Sequence, residues 1–206
     1  LYRRRQRQMC IRDRYKGCDY WVPPIISEEL ESMDKEKNPV FENAEAEFYI
    51  AKKDGVTVGR IAAMVNWVEI EEQKKNKLRF GWYDTIDDLE VSKKLLESVI
   101  EFGKKRKLEF VDGPVGFSNM DKAGLLIEGY EELNTMITWY HYPYQKEHLK
   151  KLGFSKLAEW VEYKIKIFSA EDAPEKVKKF SKIIQQRYEL KVLNFKSRKE
   201  LSLIHI

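Results

Sequence analysis

Three segments in the first half of the chain carry the apolar, β-branched and aromatic residues typical of strands. Residues 47–53 and 56–69 lie on either side of Asp54-Gly55, a pair that favours a β-hairpin turn. Residues 78–85 form the third segment, after a polar loop. The pattern therefore predicts an antiparallel meander, in which Gly59 marks a bulge or a close approach of two backbones.

The clearest helix follows this meander. Its apolar residues recur every three or four positions: Val91, Leu95, Val99 and Phe102. Asp87 and Asp88 stand at its start and a basic cluster over 104–107 stands at its end, which suits the helix dipole. We therefore interpret the basic cluster as a helix terminus and not as a nucleic-acid site.

The segments after this helix continue the alternation of strands and helices. Residues 108–111 predict a short buried strand, and residues 144–152 predict a helix that stops before Gly153. Residues 154–168 alternate between apolar and polar positions, which predicts another strand. The order indicates the α/β class (mixed α+β), with a central, mostly antiparallel sheet flanked by helices.

The character of the chain changes after Pro174. An amphipathic pattern predicts a helix over 175–188, and the apolar run over 189–195 predicts a strand. Ser197 opens a capping-box pattern, which predicts the start of a further helix. A new strand followed by a new helix indicates the beginning of a second domain.

The positive charge of the chain is concentrated at one end. The 206 residues have a formal net charge of +4, yet the first 14 contain six arginines and one aspartate, so the remainder carries −1. The remainder therefore lacks the basic surface expected of a nucleic-acid binder, and we predict no nucleic-acid partner. No apolar run approaches about 18 residues, so we also predict no membrane partner.

Cysteine and histidine usage indicates no metal site. Cys10 and Cys18 form neither a disulfide framework nor a zinc pattern, and a reduced, cytoplasmic compartment is the natural interpretation. His141 and His148 lie seven positions apart without a cysteine nearby. We therefore predict no metal ligands, and His141 is kept as a candidate general base or substrate-binding group.

Both ends of the chain look foreign to a folded protein. Residues 1–14 (LYRRRQRQMCIRDR) resemble translated sequencing-adapter sequence, and residues 202–206 (SLIHI) resemble the matching artefact at the other end. We expect both to be non-native tails, and we therefore expect the true start and the true C-terminal part to be missing. The alternative for the first tail is a basic arm that binds nucleic acid.

Seven short segments carry a family resemblance. They are Trp21-Val22-Pro23-Pro24, Asn38-Pro39-Val40-Phe41, Asp54-Gly55-Val56-Thr57-Val58-Gly59-Arg60-Ile61-Ala62-Ala63, Phe80-Gly81-Trp82-Tyr83, Gly113-Pro114-Val115-Gly116-Phe117-Ser118-Asn119, Gly124-Leu125-Leu126-Ile127-Glu128-Gly129-Tyr130 and Leu152-Gly153-Phe154. Together they resemble the double-domain bacterial type of the GNAT superfamily, the acetyl-CoA-dependent N-acetyltransferases. The resemblance implies a GNAT-like domain over 15–168, then a linker helix and the truncated start of a second such domain over 169–201.

The resemblance also implies a reaction, from which this sequence departs in two places. In the superfamily an amine attacks the thioester of acetyl-CoA directly, aided by a base, an acid and a backbone cradle for the pyrophosphate. The cradle usually reads Gln/Arg-x-x-Gly-x-Gly/Ala, whereas residues 84–89 here read Asp-Thr-Ile-Asp-Asp-Leu. Leu149 stands where many members have the tyrosine that acts as the acid.

These departures leave two hypotheses open. Under the first hypothesis, the chain is a fragment of an acyl-CoA-dependent N-acyltransferase that uses acetyl-CoA and acts on a small-molecule or peptide amine. Alternatively, its domain is catalytically degenerate and serves as a binding, scaffolding or dimerisation module, with a homodimer as the expected assembly. The aspartates of the loop have a structural interpretation as well, as the N-cap and first turn of the following helix.

Three residues are candidates for catalysis. Glu128 lies in an apolar run and could act as the base if it were buried, because burial raises the pKa of a carboxyl group. Tyr140 and Tyr144 lie upstream of Leu149 and could supply the missing acid. The alternative for both tyrosines is a role as packing or surface aromatics, and the alternative for Glu128 is a cap or an ion pair at the end of a strand.

Two further sets of residues are candidates for binding. The resemblance places these residues next to the cofactor: Phe80, Gly81 and Trp82. Loop 113–119 follows a predicted buried strand, which is where α/β proteins tend to hold ligands, although a structural turn is the alternative. The candidates for substrate binding are Gly116, Ser118, Asn119 and His141.

Overall fold

The computed structural model describes residues 14–118, 121–135, 137–166, 169, 171–191, 194 and 196. The chain divides into two compact units, residues 1–160 and residues 161–206. In the first unit the helices are α1 (Ile26–Ser32), a short 3-10 helix (Pro39–Glu42), α2 (Trp67–Gln73), α3 (Leu89–Lys105) and α4 (Pro143–Lys151). Its strands are β1 (Ala44–Lys53), β2 (Val56–Asn66), β3 (Lys77–Thr85) and β4 (Phe110–Asp112).

The four strands form one mixed sheet in the order β1-β2-β3-β4. The first three are antiparallel, and β4 runs parallel to β3, with Lys77 opposite Phe110. Asp54 and Gly55 both have positive φ, as the predicted tight turn requires. The predicted fold class, mixed α/β with a mostly antiparallel sheet flanked by helices, is confirmed.

Gly59 meets both expectations that the sequence raised for it. The pairing of β1 with β2 shifts register next to it, so that Ala51 faces Gly59 and Lys52 faces Thr57. A Cβ at Gly59 would lie 3.0 Å from the backbone carbonyl oxygen of Asp84 on β3 and 2.9 Å from Leu95 Cδ1 on α3, closer than such atoms pack. The glycine therefore lets α3 approach the sheet closely.

Helix α3 supplies the main hydrophobic core. Its predicted apolar residues are all buried: Val91, Leu95, Val99 and Phe102. They pack on alternate residues of β2 and β3, including Ile61, Leu78 and Phe80. At about 1.5–3 kcal/mol for each fully buried large side chain, this face does much to hold the helix on the sheet. Asp88 caps the helix, because its Oδ1 accepts a hydrogen bond from the Glu90 amide at 3.0 Å.

The opposite face of the sheet is also covered. Ala62 and Met64 of β2 point to this face, where they join a second buried cluster with Met33, Trp82 and Phe117. The segment that contains α1 and the 3-10 helix contributes to this cover, since Met33 caps α1 and Phe41 packs against the cluster. The sheet is therefore a central layer with apolar residues on both sides.

The structure corrects the end of one predicted strand and the existence of another. The second strand ends at Asn66 and not at residue 69, because the Asn66 side chain accepts a hydrogen bond from the Glu69 amide at 3.3 Å and caps α2. Residues 154–166, predicted as a strand, have irregular structure without a strand partner among the described residues, and residues 167 and 168 lie outside them. Alternation predicts which side chains share a face, but a strand also needs a neighbour to pair with.

The second unit contains helix α5 (Glu175–Arg187), as the amphipathic pattern predicts. Residues 189–191 and 194 are not in a strand, so the strand predicted over 189–195 is not seen in its described part. The helix predicted from Ser197 lies outside the described residues. Within α5 the apolar side chains are exposed, including Phe180 at 53% and Ile184 at 46%.

Candidate functional site

Strand β3 contains a bulge at Trp82 and Tyr83, next to the candidate site. Arg60 pairs with Asp84 and Ala62 pairs with Gly81, so Trp82 and Tyr83 together lie opposite a single residue of β2. Trp82 has φ of 47°, a value rare for a residue with a bulky side chain. The extra residue shifts the alternation, so Trp82 leaves the face that Phe80 occupies and joins the other face of the sheet, while Tyr83 packs with α3.

A cavity of about 40 Å³ lies beside Trp82. Its aromatic and apolar walls include Tyr15, Trp21, Val22, Trp139 and Tyr140. The ring of Trp82 lies 6.1 Å from that of Trp139, and Trp21 stacks on Tyr15 at 5.0 Å. Its polar lining contains two acidic side chains, two basic side chains and one imidazole: Glu29, Asp84, Arg60, Lys122 and His141.

Ion pairs connect most of these charges. Glu29 accepts a hydrogen bond from the indole of Trp82 at 3.1 Å and lies 3.7 Å from Nη1 of Arg60. Asp84 pairs with Arg14 at 2.7 Å, and the same guanidinium donates to the Val58 carbonyl at 2.9 Å. Arg14, which was predicted to belong to the non-native tail, thus takes part in the folded unit.

Burial changes the acidity of three groups around the cavity. Burial raises the pKa of Asp84, and the charges of Arg14 and Arg60 oppose that rise. Burial lowers the pKa of Lys122, and the nearby Glu29 carboxylate works against this. Burial lowers the pKa of His141 to about 3, although a hydrogen bond to the Tyr83 backbone favours the protonated ring. His141 is therefore neutral at physiological pH.

The free edge of β3 is occupied by the segment that leads into α4. Ile86 donates its amide to β2 at Val58, so the neighbouring Thr85 carbonyl points away from β2. That carbonyl accepts a hydrogen bond from the Tyr144 hydroxyl at 2.7 Å. Together with the bond between His141 and the Tyr83 backbone, this contact leaves the end of β3 covered by the chain itself.

The start of α3 presents negative charge where a phosphate cradle was expected. Asp88 holds the first turn of the helix through its cap, and Asp87 pairs with His148 at 3.1 Å. The structural interpretation of Asp88 as the N-cap is therefore confirmed. The Asp87 side chain is 69% exposed, so it would face an approaching pyrophosphate.

The three candidate cofactor residues occupy different environments. Phe80 is fully buried in the main core, where no ligand reaches it. A Cβ at Gly81 would overlap the Val115 carbonyl oxygen, so the neighbouring backbone fills its space. Trp82 alone of the three lines the cavity.

The candidate catalytic residues do not form a cluster. Glu128 is exposed, so the burial that its role as a base requires is not present. Tyr140 lines the cavity but donates its hydroxyl to the Tyr130 carbonyl at 2.9 Å, and Tyr144 donates to Thr85. Burial raises the pKa of both phenols. Their geometry matches the packing alternative, because each hydroxyl donates its hydrogen bond to a backbone carbonyl.

Loop 113–119 has the contacts of a structural turn. The Ser118 amide donates to Asp121 at 2.8 Å, and its hydroxyl donates to the same oxygen at 3.2 Å. A Cβ at Gly116 would overlap the Cβ of Asp121. Asn119 lies outside the described residues. Of the three substrate-binding candidates that the structure describes, His141 is the one that lies at the cavity.

The structure also reveals site residues that the sequence did not single out. Glu29, Arg60 and Lys122 line the cavity but lie far apart in sequence. Arg60 carried a usable signal, because it is the single charged residue in the otherwise apolar or small run of β2. Glu29 carried none, since it resembled an ordinary acidic residue in a helix's first turn. Within the described residues, no three His, Cys, Asp or Glu side chains come together as a metal site.

Comparison with known proteins adds two relatives. Over 146 residues the chain is 30% identical to Protein YghO of Escherichia coli strain K12, an alignment that covers 69% of this chain and 37% of that protein. It is 24% identical over 146 residues to the bacterial ceramide synthase of Caulobacter vibrioides strain NA1000 / CB15N, covering 70% and 38%. The chain thus spans about two fifths of the length of the curated relatives it matches.

No model of a protein family matches the chain, and no solved structure matches it. The mixed α/β sheet and the two relatives fit a GNAT-like fold. None of the helices in the described part of the chain combines the length and the apolar character needed to cross a membrane.

Proposed function

We propose that this chain is part of an acyl-CoA-dependent N-acyltransferase, and that the described domain is a half of it that does not hold the acyl-CoA. Ceramide is an amide of a long-chain amino alcohol, so a relative named as a ceramide synthase supports an amine acceptor. Acetyl-CoA remains one donor to test beside longer acyl-CoAs. A cytoplasmic location stays a prediction.

One observation supports the proposal that this domain does not hold the acyl-CoA: the end of β3 and the start of α3 are closed to an acyl-CoA donor. Tyr144 covers the Thr85 carbonyl, while Asp87 and Asp88 place negative charge beside the helix N-terminus. The negative charge would repel a pyrophosphate there. The Glu90 amide at the start of α3 already donates to Asp88 and is not free to bind a phosphate. The contribution of this domain is then to shape and position the acceptor site of the whole enzyme.

A calorimetric titration of acetyl-CoA and palmitoyl-CoA into the folded 206-residue chain tests the assignment of the donor. We expect no saturable binding at micromolar concentrations. The matched variant D87N/D88N removes two negative charges and keeps a residue that caps helices well. Saturable binding by the unmodified chain would overturn the proposal that this domain excludes the donor, whatever the variant does.

The acyl-transfer reaction is tested on the longer relative. Protein YghO of Escherichia coli, incubated with palmitoyl-CoA and a long-chain amino alcohol, is expected to release free CoA and form the amide. The 206-residue chain alone is expected to release none. If Protein YghO releases no CoA with any primary amine in a broad panel, N-acyl transfer loses its support for this chain as well.

The exposed apolar residues of α5 favour the scaffolding alternative as a second role. The exposed apolar residues of this helix include Val177, Phe180 and Ile184, and none of the residues from Glu175 to Arg187 is buried. Such a face suits association with another chain, and a homodimer stays the prediction. Sedimentation of the chain and of its F180E variant tests this role, because a dimer that depends on this face should dissociate in the variant.

A further inference from the structure

The cavity beside Trp82 contains polar atoms that the described residues do not satisfy. Nε and Nη1 of Arg60 and Nδ1 of His141 are buried and make no hydrogen bond within the described residues. His141 is 2% exposed, and the Arg60 side chain is 12% exposed. Buried polar atoms in folded proteins nearly always have a partner, so these three atoms indicate a missing one.

The charges around the cavity do not balance. Arg14 neutralises Asp84, and Glu29 is shared by Arg60 and Lys122. Three cations against two carboxylates leave one positive charge in a largely buried place. A single negative charge from a ligand would complete the cluster, since buried charges are normally paired.

The neutral ring of His141 adds a second requirement. The bond to the Tyr83 backbone favours a protonated ring, so the nitrogen that makes it donates to a carbonyl and carries the hydrogen. Nδ1, which has no partner among the described residues, is then an acceptor and needs an N–H or O–H group. Arg60 lies close enough to His141 for its charge to act on the ring.

The size of the cavity limits what can fill it. A water molecule needs roughly 10–15 Å³ of such space, so about 40 Å³ holds about three waters or a group of similar bulk. A carboxylate with one short polar branch has this bulk, and the rings of Trp82 and Trp139 would pack against its carbon atoms. A branched carboxylate such as pivalate exceeds it.

We propose that this cavity is a binding site for a small carboxylate that carries a hydroxyl group on the neighbouring carbon. Arg60 and Lys122 bind the carboxylate, and Nδ1 of His141 accepts the hydrogen of the neighbouring group. The assignment does not depend on acyl transfer, because it rests on the cavity's own unpaired atoms and surplus charge.

Indole N–H signals in an NMR titration of the 206-residue chain with sodium glycolate test the site. Trp21, Trp82 and Trp139 line the cavity, whereas Trp67 and Trp160 do not and serve as internal controls. We expect saturable shifts of the three cavity signals, with binding tighter for glycolate than for acetate. Glycine should bind more weakly than glycolate because it brings no net charge, and pivalate should give no saturable shift.

Two substitutions and two controls decide the outcome. K122M should raise the Kd for glycolate about tenfold or more, and H141F should remove the preference for glycolate over acetate. R106M and K94M are the controls, since Arg106 and Lys94 lie outside the cavity lining, and their Kd should match the parent's. Lys122 is half-buried, so K122M is expected to fold.

Shifts that grow linearly with glycolate, or that sodium chloride reproduces at equal ionic strength, would overturn the proposal and leave ordered water as the occupant. Equal weakening in K122M and K94M would overturn it as well. Because no acyl-CoA is present, a negative result here leaves the proposed acyl transfer standing, and failure of the CoA-release assay leaves this site standing.

Discussion

Glu69 offers a sharp test of how much a buried ionic cluster contributes to this fold. Its carboxylate accepts hydrogen bonds from Nε of Arg79 at 3.0 Å and from Nη2 at 2.8 Å, and it also pairs with Lys77. The side chains are 8% and 4% exposed for Glu69 and Arg79. The E69Q substitution removes the charge but keeps the shape, so the buried Arg79 loses this carboxylate, while Lys77 keeps its pair with Asp112 at 3.5 Å.

Breaking a buried pair from one side costs about 3–5 kcal/mol. The amide introduced by E69Q would still offer Arg79 one oxygen, so we expect a cost of about 3 kcal/mol, at the lower end of that range. For a chain of this length that corresponds to a fall in Tm of roughly 6–12 °C. Urea unfolding followed by tryptophan fluorescence measures the free energy, and circular dichroism measures the Tm.

Glu45 provides the matched control. It accepts from Arg106 with the same two kinds of nitrogen, Nε at 2.9 Å and Nη2 at 2.7 Å, but its side chain is 46% exposed. E45Q should therefore cost no more than about 1 kcal/mol. If E69Q and E45Q destabilise the chain equally, the burial of the Glu69 cluster does not determine its contribution.

The pH dependence gives a second readout of the same cluster. Burial pushes the pKa of Glu69 up, but hydrogen bonds from Arg79 and Lys77 outweigh burial and hold the pKa below its ordinary value of 4.5. The stabilisation is therefore complete above that value and is lost as the pH falls through the folded-state pKa. The difference between E69Q and the parent should shrink below about pH 4.5 and stay constant near neutrality.

Other substitutions test the packing. G81A should destabilise by about 1–3 kcal/mol, because the new Cβ would overlap the Val115 carbonyl oxygen; an unchanged Tm would contradict this close approach. L95A should cost about 2–5 kcal/mol in urea unfolding and I100A less than about 1, since Leu95 is 3% exposed and Ile100 is 37% exposed. S92A, which removes the hydroxyl at the centre of a buried hydrogen-bond network, should cost about 1–3 kcal/mol, and a loss under about 0.5 would show that the network is dispensable.

The elements that local patterns specify were predictable. The apolar spacing of α3 predicted its buried face, and Asp54-Gly55 predicted the turn between β1 and β2. Asp88 at the start of α3 was predicted as a cap for the same reason, because capping involves only a residue and its own next turn. Local signals of this kind need no knowledge of the rest of the chain.

The long-range arrangement was not predictable to the same degree. Residues 154–166 alternate as a strand does, but pairing depends on a neighbour that alternation cannot reveal. The cavity brings together Glu29, Arg60 and Lys122 from three parts of the chain, and no spacing rule links them. His141 was found because histidine is rare here and chemically versatile, whereas Glu128 was proposed from an apolar run that does not bury it.

One extra residue in β3 explains why the site lies where it does. In a regular strand Trp82 would follow Phe80 onto the face covered by α3, where the core is already filled. The bulge turns Trp82 to the other face, where its indole donates to Glu29, and restores Tyr83 to the main core. The wall of the cavity and the anchor for Glu29 therefore both depend on this bulge, which α3 supports by packing beneath Tyr83.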